Sequence, residues 1–104
     1  MKASVIIVAH AGIHHLEDSV GSLEPEAGRA DREIVLVDNA SADRCGETAA
    51  GRWPWLKIVR SETNLGFAGG VHLGAETATG EVLVLLNDDA AAEPGFVDAH
   101  LGAL

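Results

Sequence analysis

Positive charge is scarce in this chain, cysteine occurs once and long apolar runs are missing, and each shortage removes a class of function. Only 7 Lys and Arg stand against 16 Asp and Glu in 104 residues, a formal charge of −9 with histidines neutral. Nucleic acid and anionic lipid are gripped by clustered Lys and Arg. No such cluster is present, so a nucleic-acid partner is not expected. The lone cysteine, Cys45, rules out an internal disulfide framework and fits a reducing compartment. No segment approaches the roughly 18 apolar residues of a membrane span. The first residues, Met1 to Ala11, imitate a signal peptide, but the strongly apolar stretch Val5 to Ala9 is shorter than an h-region of roughly 7–15 residues. It reads as a buried strand. The expected location is cytoplasmic, or peripheral at the inner face of the membrane.

Familiar nucleotide motifs are also missing. His10-Ala11-Gly12-Ile13-His14-His15 offers one glycine after the first apolar run, so there is no G-x-G-x-x-G. No Gly-rich loop ends in Lys-Ser or Lys-Thr, which excludes a P-loop phosphate cradle. Acidic residues after the first strand, as a response regulator would need, are absent.

What is present organises itself clearly. At 47% hydrophobic and 22% charged, the chain can bury a core, and its length allows a single domain, 1–104. Four short runs rich in Val, Ile and Leu recur: Ser4–Ala9, Glu33–Asp38, Leu56–Arg60 and Val82–Asn87. None alternates with polar residues, which predicts strands covered on both faces. Ile13, Leu16, Val20 and Leu23 fall on one helical face. Ser41 can cap a second helix carrying Cys45, Ala49 and Trp53 and ended by Pro54, with Trp53 and Trp55 packed under the sheet. A third helix spans Gly66 to Thr79 with Phe67, Val71, Ala75 and Ala78 on one side, and a fourth begins near Pro94 with Phe96, Val97 and Leu101. Glu24-Pro25-Glu26 reads as a solvated loop. The pattern β-α-β-α-β-α-β-α predicts an α/β fold, a mostly parallel four-stranded sheet with helices on both faces. Ligands of such sheets bind beyond the carboxyl ends of the strands. Those ends carry Ala9-His10-Ala11, Asp38-Asn39 and Asn87-Asp88-Asp89.

Four blocks in order give the chain a family likeness. They are Ser4-Val5-Ile6-Ile7-Val8, Glu33 to Asp43 (EIVLVDNASAD), Asn64-Leu65-Gly66-Phe67-Ala68-Gly69-Gly70, and Gly80 to Asp89 (GEVLVLLNDD). Together they resemble a family 2 glycosyltransferase of the GT-A fold, specifically its N-terminal nucleotide-binding half, with a Rossmann-like arrangement. The NLGFAGG and LLN-x-D forms are similar to the rhamnosyltransferase-like branch, which implies UDP- or dTDP-linked sugar donors.

The resemblance implies roles by position. Asp38 would accept a hydrogen bond from the pyrimidine base, since an ionised carboxylate only accepts; the bland reading is an Asx cap on the next turn. Asp89, with Asp88, would bind a divalent Mg or Mn cation bridging the donor diphosphate; otherwise the two acids are a solvated turn. Asn64 and Gly66 would sit beside the nucleotide, while Gly70 and Gly74, four apart, equally suit close helix–sheet packing. Ala9-His10-Ala11 replaces the family's Thr-Tyr-Asn, so base stacking there rests on His10. His72 stands where Asn is frequent. His14 and His15 point to different sides of a helix and read as surface histidines rather than metal ligands.

An inverting transferase needs a general base for the acceptor hydroxyl, and the resemblance assigns none of these residues to it. The expected activity of the whole enzyme is inverting sugar transfer from a nucleoside diphosphate to a carbohydrate or lipid-linked acceptor, with this chain inactive alone. The alternative is a non-catalytic module that keeps the fold and self-associates, as a homodimer, through an uncovered surface. A nucleotidyltransferase fits less well, because no basic phosphate-binding loop is present.

Overall fold

In the computed structural model, which describes residues 2–10 and 12–102, four strands form one sheet in the order β3-β2-β1-β4. They are β1 (Ala3–Ala9), β2 (Arg32–Asn39), β3 (Lys57–Ser61) and β4 (Val82–Asn87). Every pairing is parallel, with Val5 beside both Ile34 and Val84, and Leu36 beside Ile58. The four predicted strands are all present, with ends moved by one residue at most. Between them lie α1 (Ile13–Ser19), α2 (Glu24–Ala27), α3 (Cys45–Arg52), α4 (Gly66–Thr77) and α5 (Phe96–Gly102).

The strand order dictates the layers. Successive connections β1→β2→β3 step in one direction, and the β3→β4 connection must return across the sheet. Right-handed crossovers then put α4 on the face opposite the others. The packing agrees. Val5, Ile7, Ile34, Leu36 and Val84 form the larger core with Leu16, Leu23, Cys45, Ala49 and Val97, whereas Ile6, Val35 and Val37 meet Leu73 and Ala75 of α4. One helix cannot cover four strands. Leu83 and Leu85 on β4 stay 43% and 46% exposed, so this edge strand is covered on one face only, contrary to the sequence expectation.

Three local expectations also shift. The apolar face of Ile13, Leu16, Val20 and Leu23 does turn inward, with Leu16, Val20 and Leu23 fully buried, but the helix breaks into α1 and a 3-10 turn at Gly21–Leu23. Glu24-Pro25-Glu26 is not a loop: it forms α2, with Pro25 in the first turn, where its missing N–H costs nothing. Glu26 is buried because Arg32 needs it, its Oε2 lying 3.2 Å from the Arg32 guanidinium, which is 1% exposed. Third, only the Ala75–Ala78 end of the expected Phe67–Val71–Ala75–Ala78 stripe packs against the sheet, and Phe67 stays 60% exposed. Gly70 and Gly74 are its buried residues, so close to β1 that an added Cβ would lie 2.6 Å from Val8 and 2.7 Å from Ile6. Trp53 and Trp55 pack against the larger core as expected.

Candidate functional site

β1 is where the strand order reverses, with β2 on one side and β4 on the other, and this is where such sheets open a ligand crevice. An open concavity of about 300 Å³ lies there, lined by Val8, His10, Asn39, Asn64, Gly66, Phe67 and Asp88. It draws on the carboxyl ends of β1 and β2, the turn after β4 and the start of α4. Of the sequence candidates, His10, Asn64, Gly66 and Asp88 come together in it. Ala9 and Asp38 are buried away from it, and Asp89 is exposed in the turn beside Asp88. Ala11 lies outside the described residues.

Asp38 is 1% exposed and heavily engaged. Its Oδ1 accepts the Ser41 N–H at 3.0 Å, and its Oδ2 accepts the Gly46 N–H at 3.0 Å and Arg60 Nη1 at 2.9 Å. Burial alone would raise its pKa, but the hydrogen bonds from Ser41, Gly46 and Arg60 outweigh it and hold the carboxyl below its ordinary value. The carboxylate thus ties the end of β2 to the start of α3 and to β3. Ser41 assists, its Oγ accepting the Cys45 N–H at 3.0 Å. That matches the predicted capping by Ser41, although Arg44, in the left-handed region at φ 51°, is the residue that precedes the helix.

Asn39, marked in the sequence only as a polar strand end, has a definite role here. It is 2% exposed, and its amide clamps the turn before α4: Oδ1 accepts the Leu65 N–H at 2.9 Å and Nδ2 donates to the Gly66 carbonyl at 3.0 Å. Asn64 completes the turn by accepting the Gly66 N–H at 2.9 Å, and Gly66 supplies the positive φ of 72°. The Asn39 carbonyl also receives Nδ1 of His10 at 2.9 Å. A carbonyl only accepts, so this bond puts the proton on Nδ1 and leaves Nε2 of the neutral ring as an acceptor. The available signal was a polar side chain at the end of a strand buried on both faces, where it must find partners.

Asp88 is the carboxylate that faces the concavity. Burial, and then the charge of Asp89, raise its pKa above the ordinary value, while His15 and His10 pull it down. No group of three His, Cys, Asp or Glu that could hold a metal occurs among the described residues. Two adjacent carboxylates suit a hard divalent cation that takes its other ligands from phosphate oxygens and water, because Mg²⁺ is commonly held by one or two carboxylates plus substrate phosphates. The donor set therefore fits the expected cation. His14 and His15 lie exposed on α1, and His72 is a surface residue beside Glu76. No helix among the described residues is long and apolar enough to cross a membrane.

The Glycosyl transferase family 2 model matches residues 4–104. A dolichol-phosphate mannosyltransferase of Pyrococcus furiosus is 29% identical over 107 residues, covering 100% of this chain and 30% of the relative. The S. aureus TarS 1–349 structure in complex with UDP has a TM-score of 0.80 at 23% identity, covering 98% of this chain and 31% of that one. The mannosyltransferase PcManGT of Pyrobaculum calidifontis, in complex with GDP-Man and Mn²⁺, has a TM-score of 0.75 at 24% identity, covering 88% and 28%. At such identities the structural likeness establishes the fold, which is GT-A-like. The chain spans about a third of the length of these relatives.

Proposed function

Because the chain belongs to glycosyl transferase family 2, we propose that residues 1–104 form the donor-binding domain of a sugar transferase. Its ligand is a nucleoside diphosphate sugar, with a UDP- or dTDP-sugar expected from the LLN-x-D and NLGFAGG forms. The observation that carries this reading is the concavity at the topological switch point, which gathers His10, Asn39, Asn64, Gly66 and Asp88. Solved neighbours hold UDP or GDP-Man with Mn²⁺, which supports the ligand class.

Asp88 and Asp89 would hold a Mg²⁺ or Mn²⁺ ion, which supplies charge neutralisation for the diphosphate leaving group. Neither Lys nor Arg lines the concavity, so that cation would carry the neutralisation of the diphosphate charge there. Asp38, expected from the resemblance to take a base N–H, is 1% exposed, lies outside the concavity and is held by Ser41, Gly46 and Arg60, so its part here is to fix the end of β2 beside the site. No carboxylate here is assigned as the general base. The complete protein would perform inverting transfer to a carbohydrate or lipid-linked acceptor, while this chain alone would bind donor without turnover.

Calorimetric titration with UDP, dTDP and GDP in Mn²⁺ tests the reading. Binding of a pyrimidine diphosphate should disappear in EDTA and fall at least tenfold in Asp89→Ala. Binding that ignores both changes would sink the metal site. A second reading, a self-associating module, draws on exposed Leu83 and Leu85 of the edge strand. Light scattering separates them, since that reading requires a dimer broken by Leu85→Lys with no nucleotide effect.

A further inference from the structure

We propose that Phe67 is the platform on which the nucleobase of the donor stacks. This inference rests on the donor reading above and assigns a binding residue that lies outside the sequence candidates. Phe67 is 60% exposed, yet it lines the concavity at the switch point. The chain has two phenylalanines, and the other, Phe96, packs against the core. Phe67 stands one turn ahead of Gly70, where α4 meets the sheet, and is not among the side chains packed against either core cluster.

The backbone that leads into Phe67 is fixed before any ligand arrives. The buried amide of Asn39 grips both Leu65 N–H and the Gly66 carbonyl, and Asn64 grips the Gly66 N–H. Three hydrogen bonds thus fix the turn immediately ahead of Phe67. Rigid presentation of an exposed group lowers the ordering cost of binding. The chemistry around the ring selects the occupant. A flat apolar face beside amide and imidazole groups suits a heteroaromatic base, which has a π-face to stack and polar edges to pair. The diphosphate then extends toward Asp88, the acidic member of the lining.

Titrations of wild type, Phe67→Ala and Phe67→Tyr with UDP and Mn²⁺ test this, with inorganic pyrophosphate and Mn²⁺ as the base-free probe and thermal unfolding run on each variant. Loss of one base–aromatic stack should weaken UDP binding about tenfold or more. Phe67→Tyr should stay within about twofold of wild type, and pyrophosphate binding and the unfolding temperature should not move. Unchanged UDP affinity in Phe67→Ala overturns the stacking role alone. So does an equal loss for pyrophosphate or a lowered unfolding temperature, since either makes Phe67 structural. A folded wild type that binds neither UDP, dTDP nor GDP refutes the donor reading itself.

Discussion

At the scale of single residues, the site depends on carboxylates and amides that the chain itself has already partnered. Asp38 and Asn39 are neighbours with opposite assignments: one secures α3 and β3, the other secures the turn before α4. Replacing Asp38 by Asn tests its structural assignment. One carboxylate oxygen becomes an NH₂ group, which must face the Ser41 N–H or the pair of donors from Gly46 and Arg60. Arg60 also loses its partner. The expected cost is about 3 kcal/mol, the low end for breaking a buried ion pair because Arg60 keeps some solvent contact. Equilibrium denaturation measures it, and unchanged stability would mean that the carboxylate is not the cap. Strand-end position marks Asp38, Asn39, His10 and Asp88 in the sequence, and of these His10, Asn39 and Asp88 line the concavity. The burial of Asn39 and the exposure of Phe67 were harder to read, because hydropathy ranks an asparagine as surface and a phenylalanine as core, and here both are inverted.

At the scale of elements, the β-α alternation was readable because four unbroken Val/Ile/Leu runs can only be strands or buried helix, and their length decides for strands. The fine placement of α4 was less readable. Glycine carries no hydropathy signal, so a helix that packs through absent side chains looks as though it should pack through its apolar ones. Magnitudes can be tested with a pair of glycines. In Gly74→Ala the new methyl lies 2.7 Å from Ile6 Cγ2 and 3.0 Å from Val37 Cγ2. Overpacking at a cost of about 1–3 kcal/mol should exceed the gain in helix propensity of up to about 1 kcal/mol. Gly51, in α3, meets nothing within 4 Å. There the propensity gain is unopposed, so Gly51→Ala should be neutral or stabilising by up to about 1 kcal/mol. Urea midpoints for the two variants should move in opposite directions or, at least, only Gly74→Ala should fall. The bare face of β4 was hidden from the sequence for a related reason: Leu83 and Leu85 are as apolar as covered strand residues, and only the topology shows that α4 passes over β1 and β2 instead.

At the scale of the whole molecule, the two ends of the sheet are built differently. At the amino ends of the strands, Arg32 is sealed at 1% side-chain exposure between Glu26, Asp31 and Asp98, joining α2, β2 and α5. Glu33 adds to this closed end: burial would raise its pKa, but bonds from Ser4, Thr79 and Lys57 lower it to about 2. At the carboxyl ends the polar groups instead surround an open concavity. The amino ends are sealed, whereas the carboxyl ends leave a concavity open beside the Asp38 cluster, so a ligand should leave a one-sided footprint. That makes the amide NMR spectrum, recorded as UDP and Mg²⁺ are added to the folded chain, the most direct test. Nucleotide binding at the switch point predicts shifts centred on His10, Asn39, Asn64 to Phe67 and Asp88, with the resonances around Arg32 and Asp98 unmoved. Shifts centred on the Arg32 edge, or none at saturating nucleotide, would contradict a donor site at the carboxyl ends of the strands.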